Sequence, residues 1–173
     1  MTSSDVATDD QEGVVYRDLG LAWGVKPSLL AYLAALPDTE VQLEPGSGRL
    51  LDGRFYFYLD PSSASGDAGG PHRFRGAVRF RAHAGMLDVT VCDPCFESSG
   101  DGTWTMSIET WHEGQWTRVP FMDCRLAEVD RRDDRVTTLR FTTFLTEAAR
   151  SLFDDTYAAG EPFDEAELRL PPG

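Results

Sequence analysis

Three stretches of the chain carry side chains capable of more than packing. AWGVKPSLLAY at 22–32 contains Lys26, the only lysine among 16 Lys and Arg residues, and ends on Tyr32. RAHAGMLDV at 81–89 contains His83, and YAAGEPFD at 157–164 opens on Tyr157. A phenol, an imidazole and an ammonium can ionise, donate hydrogen bonds or ligate, so chemistry is sought first at these positions. A fourth stretch, CDPC at 92–95, invites a redox or zinc reading. Structural zinc needs four ligands, and after Cys92 and Cys95 only Cys124 remains. A thioredoxin-like pair opens a helix in a βαβ setting, whereas this CDPC ends an alternating strand, so reduced thiols at a strand end are expected.

The elements that must position these residues follow from periodicity. Val25, Leu29, Leu33 and Leu36 recur at the spacing of one helical stripe, with Pro27 in a first turn and Pro37 as the stop. Tyr32 falls at the edge of that stripe, with Ser28 one turn before it on the same side. A tyrosine there can bury its ring and still aim its hydroxyl; spacing alone reads it as a core residue with a satisfied hydroxyl. From residue 49 the pattern switches to period two. RLLDGRFYFYLD alternates Phe55, Phe57 and Leu59 with Tyr56 and Tyr58, and RFRGAVRFRAH alternates Phe74, Val78, Phe80 and Ala82 with Arg75, Arg79, Arg81 and His83. The arginine stripe reads as the wet face of a sheet. His83 closes that polar face at a tight Ala84-Gly85 turn before the next strand. His72 and His112 are read as surface residues.

Further strands are expected at about 103–111, 116–127 and 135–141, and a last short one in AELRLP. Leu145, Ala148, Ala149, Leu152 and Phe153 have the spacing of a second short helix, ended by Gly160 and Pro162. Residues 1–12 read as a disordered lead, 61–71 as a loop, and 13–173 as one domain that starts near Val14. The expected fold is mainly β, a two-layer antiparallel β-sandwich with two short α-helices.

With 173 residues and 41% hydrophobic content the chain can bury one good core. A formal charge of −13 repels phosphate backbones and anionic membranes, so neither nucleic acid nor membrane is an expected partner. The N-terminal MTSSDVATDDQEG lacks the basic and apolar regions of a secretory signal, which gives an expectation of cytoplasmic location and reduced cysteines.

Taken in order, Trp23, Gly24, Lys26, Ser28 and Tyr32, then His83, Gly85, Leu87 and Pro94, then Tyr157, Gly160 and Asp164 resemble the motifs of the HtaA-type haem-binding domain of actinobacterial haem-uptake proteins. The resemblance covers about residues 18–170. Where the family has glycine before the histidine this chain has Ala82, which stiffens the turn. The resemblance implies that Tyr32 on the N-terminal helix is the axial ligand of ferric haem b, that His83 is hydrogen-bonded to it, and that Tyr157 belongs to the same pocket. Ser28 and Lys26 join the site by matching the family's positions; Lys26 either pairs with a haem propionate or stands as a solvated helix residue.

The chemistry so implied is coherent. A phenolate is a hard anionic donor that favours ferric over ferrous iron. Tyrosine titrates near pH 10, so ionising it at pH 7 requires about 4 kcal/mol. The Fe–O bond supplies most of that, and an imidazole N–H donated to the oxygen supplies more. The function expected is intracellular haem trafficking or buffering, with a haem donor or acceptor protein as partner. The alternatives are a peroxidase-like haem enzyme on the same pocket, or a related sandwich that binds another small apolar ligand or a protein.

Overall fold

The computed structural model describes residues 19–63 and 70–173. The lead at 1–12, the start near Val14 and the centre of the 61–71 loop lie outside the described residues. In chain order the elements are β1 (Gly20–Trp23), α1 (Pro27–Ala34), β2 (Glu40–Leu43), β3 (Ser47–Arg49), β4 (Phe55–Leu59), β5 (His72–Arg75), β6 (Ala77–Ala82), β7 (Leu87–Ser98), β8 (Thr103–His112), β9 (Gln115–Asp130), β10 (Thr137–Leu145) and β11 (Pro162–Leu170). No helix among the described residues is long and apolar enough to cross a membrane.

The strands pair β7-β5-β4-β1-β11-β10-β9-β8, and β8 pairs back onto β7. This corrects the expected two-layer sandwich: the sheet closes into an eight-stranded antiparallel barrel, from which β6 and then β2 extend as a flap and on which β3 adds to β4. The reason lies in β7. Its first half pairs with β6 from Ala82↔Leu87 to Ala77↔Cys92, and its second half with β5 through His72↔Phe96 and Arg73↔Cys95. Between the halves its register on β8 shifts, and Asp93 takes φ 45°. A bulge of this kind bends a strand and raises its twist, which is how a sheet is curled into closure. CDPC therefore does not end the strand; it is the bend within it.

Period two places the core. Leu21, Trp23, Phe55, Phe57, Phe74, Phe80, Phe96, Met106, Phe121, Phe141 and Leu168 are buried in one cluster. A fully buried side chain of this size contributes roughly 1.5–3 kcal/mol by leaving water. His72 belongs inside as well. It is 1% exposed and stacks on Trp104 with centroids 5.6 Å apart, correcting the surface reading.

The second expected α-helix is also corrected. Leu145 ends β10, Thr146 Oγ1 accepts the Ala149 N–H at 3.2 Å, and only Arg150–Phe153 winds, as a 3-10 turn. Asp154 and Asp155 then take φ near 50–55°, a left-handed pair that stops it.

Candidate functional site

At eight residues α1 is too short to persist alone in water, so its neighbours must hold it. Pro27 opens it, and Leu29 and Leu33 bury the face that docks on the core. Its entry is pinned to β11. Trp23 Nε1–H donates to the Asp164 carbonyl at 3.0 Å, Thr143 Oγ1–H to the same carbonyl at 2.6 Å, and the Asp164 N–H to the Val25 carbonyl at 2.7 Å. Any side chain at position 24 would collide with the Asp164 carboxylate, which accounts for Gly24. Val25, buried and β-branched, is held at φ 62°, where only tertiary contacts keep such a residue. Trp23, Gly24 and Asp164 thus serve architecture: they lock the mouth of the helix to the last strand.

The helix exit is tied down as well. Thr39 Oγ1–H donates to the Leu33 carbonyl at 2.6 Å. Tyr32, 51% exposed, extends its hydroxyl to His83 Nε2 at 2.8 Å, with ring centroids 5.8 Å apart. The roles depend on protonation. A neutral imidazole carrying its proton on Nδ1 accepts from the phenol, and one carrying it on Nε2 donates to a phenolate. His83 reaches this place because the β6 alternation ends on it and the chain turns at once. His83, Ala84 and Gly85 take φ of 52°, 54° and 89°, and the Met86 N–H returns to the His83 carbonyl at 3.1 Å. Sequence reasoning missed one residue of this arrangement. Asp38, just after the helix-stopping Pro37, accepts the Ala84 N–H on Oδ2 at 2.7 Å. That bond, ahead of a smaller one from the His83 N–H, holds its carboxyl below the ordinary carboxylate range against a partial opposing effect of desolvation.

Tyr157 lies half-buried against Phe153 and Phe163, with centroids 5.5 and 5.7 Å away. Burial pushes its phenol up first, and Glu161 and Tyr32 push it further, so the two phenols lie within electrostatic reach of each other. Lys26 is engaged: Nζ donates to Glu161 Oε1 at 3.2 Å and to the Pro162 carbonyl at 2.9 Å, and sits 5.4 and 5.3 Å from the centroids of Tyr157 and Phe163. Glu161 is a second residue the sequence did not single out. Ser28 is exposed one turn before Tyr32. The structure therefore brings together Tyr32 and His83, packs Tyr157 against Phe153 and Phe163, and uses Lys26 to brace the wall carrying Tyr157.

A different region offers volume. A groove of about 970 Å³ runs over the outer face of β5, β6 and β7 and is overhung by Trp111 and Trp116 from the β8–β9 hairpin. Tyr32, His83 and Tyr157 are not among its walls. Three of its arginines face carboxylates: Arg75 with Asp60 at 2.7 Å, Arg79 with Asp88 at 2.6 Å, and Arg118 with Glu109 at 3.6 Å. The arginine stripe is indeed the outward face of the sheet. Cys92 and Cys95 also line the groove, both as free thiols; burial, followed by Asp93 and Glu109, pushes Cys92 up to about 11. Cys92, Asp93 and Glu109 bring their ligand atoms within 4.8 Å of one another, but Arg118 stands among them and Asp93 Oδ1 is already accepting the Gly76 N–H.

Solved structures place this architecture among known proteins. The N-terminal domain of HtaA from Corynebacterium glutamicum aligns at TM-score 0.72 and 22% identity over 91% of this chain and 99% of that one. The C-terminal domain of the same protein aligns at 0.68 and 18%, over 90% and 100%. The heme binding protein HtaB of that organism aligns at 0.67 and 16%, over 88% and 91%. Among curated proteins none matches the sequence significantly. The sequence model of the HtaA family matches residues 18–169, nearly the whole described fold, and the chain belongs to that family.

Proposed function

We propose that this chain binds one ferric haem b through the phenolate of Tyr32, supported by His83, and serves intracellular haem buffering or trafficking without catalysis. The observation that carries the reading is the 2.8 Å contact between the Tyr32 hydroxyl and His83 Nε2 on an exposed face, outside the walls of the arginine-lined groove. Membership of the HtaA family and likeness to a protein described as heme-binding support haem as the ligand.

The residues present fit such a group. Phenolate oxygen is the hard donor that ferric iron prefers, and the acceptor within reach of its proton is an imidazole. Haem supplies a Lewis-acidic ferric centre that lowers the phenol's proton affinity. His83 takes up or shares the hydroxyl proton and then donates N–H to the oxygen, fixing its direction. The aromatic wall of Tyr157 and Phe163, braced by Lys26, offers apolar surface to such a ligand. Tyr32 is half-exposed, which suits a cargo that is handed on to an acceptor protein. The acid–base groups nearest Tyr32 are already committed, His83 to the phenol and Asp38 to the Ala84 N–H, and this favours a carrier over a peroxidase-like enzyme.

Titrating hemin into the purified protein tests the reading. One equivalent is expected to give a sharpened Soret band and the charge-transfer features of a high-spin tyrosinate complex. A spectrum that stays that of free hemin at several equivalents would overturn it.

A further inference from the structure

We propose that Asp38 is the positioning residue of the Tyr32–His83 pair: its carboxylate, seated on the Ala84 N–H, holds the left-handed turn that aims the imidazole at the phenol. The consequence for haem rests on the function proposed above, whereas the positioning role itself belongs to the protein without ligand.

Apart from Asp38, the turn is held by the Met86 N–H to His83 carbonyl bond and by the Ala82↔Leu87 pair at its base. His83, Ala84, Gly85 and Met86 are all exposed, Met86 at 79%, so burial contributes nothing to their conformation. Two of the three left-handed residues, His83 and Ala84, carry side chains for which that conformation is disfavoured by about 1–2 kcal/mol each. Left alone, the chain would move this strain onto Gly85 and swing the imidazole away. The N–H groups of His83 and Ala84 both turn toward Asp38, and its Oδ2 lies 2.7 Å from the Ala84 nitrogen. The Pro37 that stops the helix sets Asp38 directly beyond it. Two links therefore join the helix unit to the turn, one through Tyr32 and His83 and one through Asp38 and Ala84. The second does not involve the ligand atom, so it holds the site before anything binds.

Asp38→Ala and Asp38→Asn, with Asp101→Ala as a control for loss of an exposed carboxylate that serves only its own turn, separate this role from general stability. In ligand-free protein, Asp38→Ala is expected to speed hydrogen exchange at the Ala84 amide at least tenfold. It should also move the His83 ring ¹⁵N shifts toward those of a Tyr32→Phe protein, with a thermal midpoint within a few degrees of wild type. Hemin affinity should fall about tenfold, as for loss of an outer partner of a ligand, with Asp38→Asn intermediate because it keeps an acceptor oxygen. Unchanged Ala84 exchange and unchanged His83 shifts in Asp38→Ala would overturn the proposal, whatever hemin does. Failure of wild type to bind hemin, with the exchange and shift changes as expected, would instead overturn the haem reading and leave the positioning role standing.

Discussion

The outer groove and the Tyr32–His83 face invert the usual signs of a binding site. The groove has the volume, about 970 Å³, together with arginines, thiols and two tryptophans each 55% exposed. Its chemistry is nevertheless largely spent: Arg75 and Arg79 are paired to carboxylates, and the Cys92 thiol is kept protonated. The Tyr32 face is open, yet its backbone is held in unfavourable conformations at His83 and Ala84 and its two rings meet at hydrogen-bond distance. The positive φ at Asp93 in the groove serves the bend of β7, whereas that at His83 and Ala84 aims a side chain at another element, the stronger sign of a function.

The sharpest way to break this contrast is to remove the phenol oxygen. Tyr32→Phe keeps the ring, so the fold should survive while the charge-transfer bands vanish and hemin is lost readily. His83→Ala should bind about 10- to 100-fold more weakly and with steeper pH dependence, because only an outer partner of the oxygen is gone. Visible titrations of both variants, beside their thermal midpoints, check the order. A wild-type spectrum in Tyr32→Phe would transfer the ligand role to another residue.

A smaller effect is expected in the groove. With its pKa raised from 9.0 to about 11, mainly by burial, Cys92 should be alkylated by iodoacetamide at pH 8 about a hundredfold more slowly than a free cysteine peptide. The rate should climb toward pH 11. Because the fold favours the protonated thiol, its contribution to stability is fully present below about pH 9 and is lost as pH rises through about 11. Mass spectrometry of the labelled peptide, with equilibrium unfolding over the same range, reads both.

The smallest effect should come from Arg79→Gln, which breaks the half-exposed pair with Asp88. Stability should change by about 1 kcal/mol or less, and hemin affinity by less than twofold. A tenfold loss of hemin would place the groove in the binding path and erase the distinction between the two regions.

Much of the fold was legible because period two and period 3.6 are local signals. Strands β4, β6, β8, β9 and β10 and the helix carrying Tyr32 follow from them. Closure of the barrel was not legible, since it depends on the bend at Asp93 and on which strands meet across the ring. The spacing of Leu145, Ala149 and Phe153 imitated a helix because a strand end followed by a tight turn also returns to the core every four residues. His72 was misread although the signal was present: it is two residues before the inward Phe74 on the same strand. At the candidate site, the meeting of Tyr32 and His83 was legible only through the motifs, for no periodicity relates a helix to a distant turn. Asp38 and Glu161 gave no signal, because a lone carboxylate after a proline or a glycine reads as ordinary turn chemistry.

The pairing of β1 with β11 joins the two ends of the described chain, Gly20 lying opposite Arg169. The helix bearing Tyr32 is therefore synthesised well before it is secured, since Asp164, Glu161 and Pro162, which grip its mouth, arrive only with β11. Closure between such distant segments is slow, and all-β topologies of this kind fold in milliseconds to seconds. Until β11 docks, β1 and β10 each present an unpaired edge, so a chain stalled or clipped before residue 162 would expose two sticky strands and a helix without an anchor.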